Sequence, residues 1–320
     1  MTKRKRQGGA ALLLAMVIVS LVTTVAAGMV WMQTRAVQVE AAERARAQAA
    51  WILTGALDWA RLILREDERG GRQRGKAFDS LDEPWATPLA EARLSTFLAT
   101  DKDNNADGGP EAFISGSIVD AQSRYNLRNL INAAGTVQPE QTKALQRLAD
   151  LAGAPGDTAA RIGDALSKAI APTGDEGAAG SPLKPAQLAD LAWLGIEAAT
   201  LQRLAPWVEL LPVSTPVNAN TAPREVLVAA IDGLDMGSAE RLVQARARKP
   251  FESLADIQAQ LSADVKPDGN RVGVGSNWFE VSGRLRLEER VLEERSLVQR
   301  DANAVIVRRR ERHSFAAGAR

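Results

Sequence analysis

The chain has 320 residues, enough for one or two folded domains, and its 40 Lys and Arg nearly balance its 39 Asp and Glu. Cysteine is absent and His313 is the single histidine, which excludes thiolate zinc sites, haem attachment, thiol catalysis and a histidine pair for a metal. Near-neutral charge also makes the chain a poor polyelectrolyte partner for nucleic acid.

The N-terminus is the strongest local signal. Lys3-Arg4-Lys5-Arg6 precedes 28 residues, Gln7 to Thr34, that carry no charge. From Ala10 to Gly28 this stretch would cross about 30 Å of hydrocarbon as a helix, and the basic residues before it hold the N-terminus on the cytoplasmic side. A secretory signal has a shorter apolar core of roughly 7–15 residues. Here a helical rhythm continues through Trp31, Val39, Ala49, Leu53, Leu57 and Leu64 without a proline, so one helix is expected over 10–65, with 10–32 in the membrane. Arg65 to Gly75, charged and glycine-rich, reads as an exposed break, and Phe78 to Pro88 as an extended connection pinned by Trp85.

Phe113 to Val119 reads as a strand ending at Asp120. From Asn126 to Leu261 the period becomes helical, with candidate helices at 139–152, 159–169, 185–191, 197–207, 223–231, 238–246 and 253–261. Thr221 before Pro223 predicts a cap with an N-terminal proline, and Ser253 with Asp256 a capping box. Then Phe279, Val281, Leu285 and Leu287 alternate with polar residues, a half-buried strand, and a second strand is expected at Ala304–Arg308 before a polar tail containing His313. Strand material flanking a helical block predicts an α+β fold. It has a long N-terminal transmembrane and packing helix, a small antiparallel sheet in two parts (66–122 and 266–320) and an all-α insertion over 123–265.

Two segments of the insertion share an apolar-Gly-apolar turn opening a helix: Leu194-Gly195-Ile196 and Gly233-Leu234. This is the helix-hairpin-helix pattern, whose DNA-binding versions seat a phosphate on the second helix's N–H groups. Here the turns carry Glu197, Asp232 and Asp235, which repel phosphate and favour helix packing or protein contact. Asp101, Asp103, Asn105 and Asp107 match calcium-loop positions 1, 3, 5 and 7, but Ala106 and Ala112 stand where such a loop needs Gly and Glu. A solvated turn is the expected reading there, with calcium as the alternative. No catalytic constellation is present: there is no Gly-x-Ser-x-Gly elbow, phosphate loop or metal-type histidine pair, so no enzyme and no cofactor are expected.

Three blocks together carry a family resemblance: the basic leader ending at Gly9 before an apolar helix, Asp120-Ala-Gln-Ser-Arg-Tyr-Asn-Leu-Arg-Asn-Leu130, and Val217-Asn-Ala-Asn-Thr-Ala-Pro-Arg-Glu-Val-Leu227 with Pro250-Phe251 after it. Asp79 to Ala86, with Leu81-Asp-Glu-Pro-Trp85 inside it, fits as well. Nearly the whole chain resembles the K-type minor pseudopilin of the bacterial type II secretion system. The resemblance implies a prepilin leader over 1–9, cut by prepilin peptidase after Gly9 (or after Gly8) to leave Ala10 as an N-methylated terminus. It implies a single-pass inner-membrane protein with a periplasmic C-terminal domain, and partners among the I-, J- and H-type minor pseudopilins and the major pseudopilin. Most pilin-like subunits place a glutamate five residues into the mature chain; here that position is Leu14, a departure the K type shares and one that suits a subunit at the filament tip. A carboxylate without a partner in the bilayer would cost several kcal/mol. Calcium-binding relatives carry an acidic cluster in the helical domain, of which Asp164, Asp175 and Glu176 are only a partial set. The expected function is therefore a tip-capping minor pseudopilin that helps initiate assembly and export. The competing reading is a membrane-tethered helix-hairpin-helix protein that handles DNA.

Overall fold

The structure is a computed structural model, and it describes residues 10–94, 112–170, 183–287, 290–301 and 304–316. The chain divides into two units, Met1–Gly55 and Ala56–Arg320. Helix α1 (Ala10–Gln73) runs through both.

In the first unit the apolar side chains from Leu12 to Met32 are exposed. Among the described residues, α1 alone is long and apolar enough to cross a membrane. Its threonines bond back to their own helix: Thr23 donates to Val19 O, Thr24 to Ser20 O and Thr34 to Val30 O, an arrangement that suits a hydrocarbon environment. Arg35 lies 5.7 Å from the centre of the Trp31 ring, an aromatic–cation pair of the kind that marks a membrane–water boundary.

In the second unit α1 continues past the expected stop at Arg65 to Gln73. Ion pairs Glu66–Arg69 and Glu68–Arg72 span adjacent turns and support the helix through Gly70 and Gly71. The helix closes at Gly75 (φ 69°), with Lys76 N–H donating to Gly71 O and Gly75 N–H to Arg72 O. These two bonds define a Schellman cap, for which glycine is needed at the left-handed position.

Five antiparallel strands form the main sheet in chain order: β1 (Leu89–Arg93), β2 (Ala112–Asp120), β3 (Trp278–Leu287), β4 (Arg290–Asp301) and β5 (Ala304–Ala316). Leu57, Ala60 and Leu64 of α1 pack at helical spacing with Trp85, Phe279, Val281, Val298 and Val305. The Trp85 and Phe279 rings meet edge to face at 5.1 Å, and Arg61 Nε donates to Val305 O at 2.8 Å. Sequence reading missed β4 because Leu297 and Val298 are buried in succession around a bulge, so period-2 alternation is lost. It also ended β5 too early. His313 is on that strand opposite Glu293, its side chain exposed, and not in a tail.

The helical block is inserted between the neighbouring strands β2 and β3, as expected. It holds α2 (Pro139–Leu151), α3 (Thr158–Ile170), a 3-10 helix (Leu188–Leu194), α4 (Ala198–Leu204), α5 (Arg224–Ala230), α6 (Met236–Arg248) and α7 (Leu254–Gln258). Its own core gathers Leu145, Leu148, Ile162, Leu204, Leu227, Leu242 and Ile257. Leu188, Leu191 and Leu194 repeat every third residue and take the 3-10 form in place of the α-helix expected over 185–191. The block also extends beyond 265, because Val217–Asn218 pairs in parallel with Val272–Gly273. Gly195 (φ 86°) and Gly233 (φ 78°) make the two hairpin turns.

Candidate functional site: a buried polar junction

The chain enters the helical block at Asp120 and leaves it at Ser276, and both residues belong to one buried polar cluster. Asp120 Oδ2 accepts from Thr221 Oγ1 (2.6 Å), Ser276 Oγ (2.6 Å) and Asn218 Nδ2 (3.0 Å), while Oδ1 accepts from Gln122 N–H (2.8 Å). Thr221 is therefore not the helix cap expected of it. Its hydroxyl is committed to Asp120, and α5 begins at Arg224, with Pro223 at the N-cap position and no side-chain cap. Burial pushes the Asp120 carboxyl up to about 6, against the pull of the Ser276 and Thr221 hydroxyls.

Asp79 forms the second layer. Its Oδ2 accepts from Ser276 N–H (2.7 Å) and its Oδ1 pairs with Arg300 Nη2. Arg300, 4% exposed, also donates to Ser276 O (2.7 Å) and to Asp67 Oδ2 (3.2 Å), with its Nε 3.3 Å from Glu68. One guanidinium on β4 thus ties the last turns of α1 to the exit of the helical block. Glu83 completes the group, held by Lys76, Ser80 N–H and Trp85 Nε1 (2.7 Å). Burial, then the Glu83 charge, pushes Asp67 up to about 6. Burial likewise raises Asp79 in spite of Arg300. Oxygens of Asp67, Asp79 and Glu83 lie within 4.8 Å of one another, but Arg300 and Lys76 already serve them.

Around this core the sequence blocks act as clamps. Asn220 exchanges two hydrogen bonds with the Phe251 backbone (2.9 and 2.8 Å), which joins the Asn-Thr-Ala-Pro block to Pro250-Phe251. Asn126 holds Leu211 N–H and Val213 O, and Asn129 holds both backbone groups of Thr215. Arg246 donates to Ala219 O and Ala222 O, and burial draws it down to about 10.

At the second hairpin Asp235 caps α6, accepting from Ser238 N–H (2.9 Å) and Ser238 Oγ (2.7 Å). Asp232 is held by Arg147 and Arg271. Carboxylates therefore stand where a DNA phosphate would dock. A 160 Å³ cavity lies between the block and the sheet, lined by paired ions including Arg124 with Glu209 and Glu280.

Of the residues singled out from sequence, Ala10 opens α1 and Leu14 is exposed on it. Asp164 is exposed on α3. Gly9, the loop Asp101, Asp103, Asn105 and Asp107, and Asp175 and Glu176 lie outside the described residues. Arg300, Ser276 and Asp67 were not foreseen. Only Asp79 and Asp120, at the edges of two of the sequence blocks, hinted at the junction.

The family described as type II secretion system (T2SS), protein K, matches residues 217–275, and a second description of the same protein matches residues 123–213. The type II secretion system protein K of Pseudomonas aeruginosa is 30% identical over 90% of this chain and 87% of its own length. That of Pectobacterium carotovorum subsp. carotovorum is 27% identical over 96% and 97%. In a crystal structure of the GspK-GspI-GspJ complex from enterotoxigenic Escherichia coli, one chain matches with a TM-score of 0.63 at 21% identity, over 85% of this chain and 98% of that one. Identity of 30% over most of both chains, with family matches across the helical block, shows that this chain belongs to the type II secretion system protein K family.

Proposed function

We propose that the chain is the minor pseudopilin that caps the tip of the type II secretion pseudopilus and helps initiate its assembly and protein export. The observation that carries this is the position of the helical block. About 150 residues are inserted between two adjacent strands of a sheet whose opposite face packs on the anchoring helix, a bulk that suits the end of a filament better than its shaft. Leu14 supports the same reading, because a subunit with none above it has no use for an intramembrane carboxylate.

In this account Lys3 to Arg6 keep the N-terminus cytoplasmic. Prepilin peptidase removes Met1 to Gly9 and methylates Ala10, residues 10–32 span the inner membrane, and the C-terminal domain is periplasmic. The partners are I- and J-type minor pseudopilins, with the H-type and the major pseudopilin below. The role is structural, with no catalysis and no resident cofactor. The DNA-handling reading is disfavoured by Asp232 and Asp235, which occupy the hairpin where phosphate would bind.

Intact-mass measurement on protein extracted from its native membrane tests the processing step. Loss of residues 1–9 with gain of one methyl group is expected, and a retained leader would contradict it.

A further inference from the structure

The junction carries more carboxylate than cation. Asp67, Glu68, Asp79, Glu83 and Asp120 gather there against Arg72, Lys76 and Arg300. Buried surplus charge is resolved by taking up protons or cations. Two of the carboxylates are placed to keep a proton. Asp120 touches no cation in the cluster, and Asp79 is the charged group that acts on it. Two of its partners, Thr221 and Ser276, are hydroxyls that accept as readily as they donate. A protonated Asp120 can therefore turn its O–H toward Thr221, whose hydroxyl has Asn218 O at 3.4 Å as its other acceptor. Asp67 faces Glu83, Asp79 and Lys76 from the loop after α1, Arg300 from β4 and Glu68 beside it on α1. It shares its guanidinium with both Asp79 and Glu68.

We propose that the junction is a proton-responsive clamp: on acidification Asp67 and Asp120 take up protons, and the entry and exit of the helical block are held more firmly on the sheet. The positions of both carboxyls, pushed up to about 6 from 3.8, put the response within the range of a compartment that follows the outside pH. The sign follows from linkage. A carboxyl raised in the folded state opposes folding above its folded value, and that opposition fades as pH falls from about 6 toward 3.8. Exposed carboxylates held low, such as Asp235 and Asp256, act in the opposite direction, so variants are needed to isolate the clamp.

The test uses the full chain in detergent micelles from pH 7.5 to 5. Hydrogen exchange is read at the Gln122 and Ser276 amides, which donate to Asp120 and Asp79, and corrected for intrinsic rate. Protection of both amides is expected to rise by about tenfold or more per carboxyl on acidification. Asp67→Asn, which keeps the packing without the charge, is expected to be better protected at pH 7.5 and to lose its share of the pH response. Asp120→Asn removes its own share of the response if it folds, and Asp67→Asn alone suffices if it does not. An unchanged pH response in Asp67→Asn would overturn the proposal. So would calcium at pH 7.5 producing the full protection and abolishing the response to acid, because the surplus charge would then be met by a cation.

Discussion

Replacing Arg300 with alanine takes away the one donor shared by Asp79 Oδ1, Asp67 Oδ2 and the Ser276 carbonyl. It also removes a guanidinium stacked 4.9 Å from the centre of the Phe279 ring. Breaking a buried ion pair from one side leaves uncompensated charge and costs about 3–5 kcal/mol; the lost ring contact adds about 1 kcal/mol. A loss of about 4–6 kcal/mol is a large share of the about 5–15 kcal/mol that holds a typical domain. Urea unfolding of the full chain in micelles, monitored through tryptophan fluorescence, measures it. The loss should shrink between pH 7.5 and 5, because Asp67 and Asp79, both already raised, neutralise once the cation is gone. Arg300→Ala combined with Asp79→Asn should recover part of it at pH 7.5. A loss below about 1 kcal/mol at pH 7.5, outside the range for buried pairs, or one independent of pH, would refute the role given to Arg300.

Asp235→Ala should lower the unfolding midpoint through loss of the α6 cap, read from the same unfolding curves. It should also leave the protein without salt-dependent affinity for duplex DNA in a titration. Gly116→Ala should destabilise by about 1–3 kcal/mol, since its Cβ would stand 2.7 Å from Ser282 O in the neighbouring strand; an unchanged unfolding midpoint would show that β2 and β3 are not packed as described.

What was legible in the sequence followed from periodicity and punctuation. The apolar run to Thr34, the capping box at Ser253 and Asp256, the strand from Phe279 and the interruption of the sheet by helices all carried local signals. The errors came where tertiary partners overrode those signals. Arg65 to Gln73 looked like a break because Gly70 and Gly71 are poor helix formers. Ion pairs along the helix and Arg300 from β4 hold it helical. β4 was hidden by its bulge and by Glu294, which is 3% exposed yet charged and is held by Arg310 and Arg312 of β5. Thr221 followed the local rule for a cap, but a carboxylate 101 positions earlier in the chain claimed its hydroxyl. The junction itself joins residues from Asp67 to Arg300, and nothing in local spacing says that they meet.

The tip assignment is tested most directly by electron microscopy of assembled pseudopili, with a label fixed to an exposed residue of the helical block such as Asp164. A capping subunit puts the label at one end of each filament and nowhere else. Label distributed along the shaft would contradict the account.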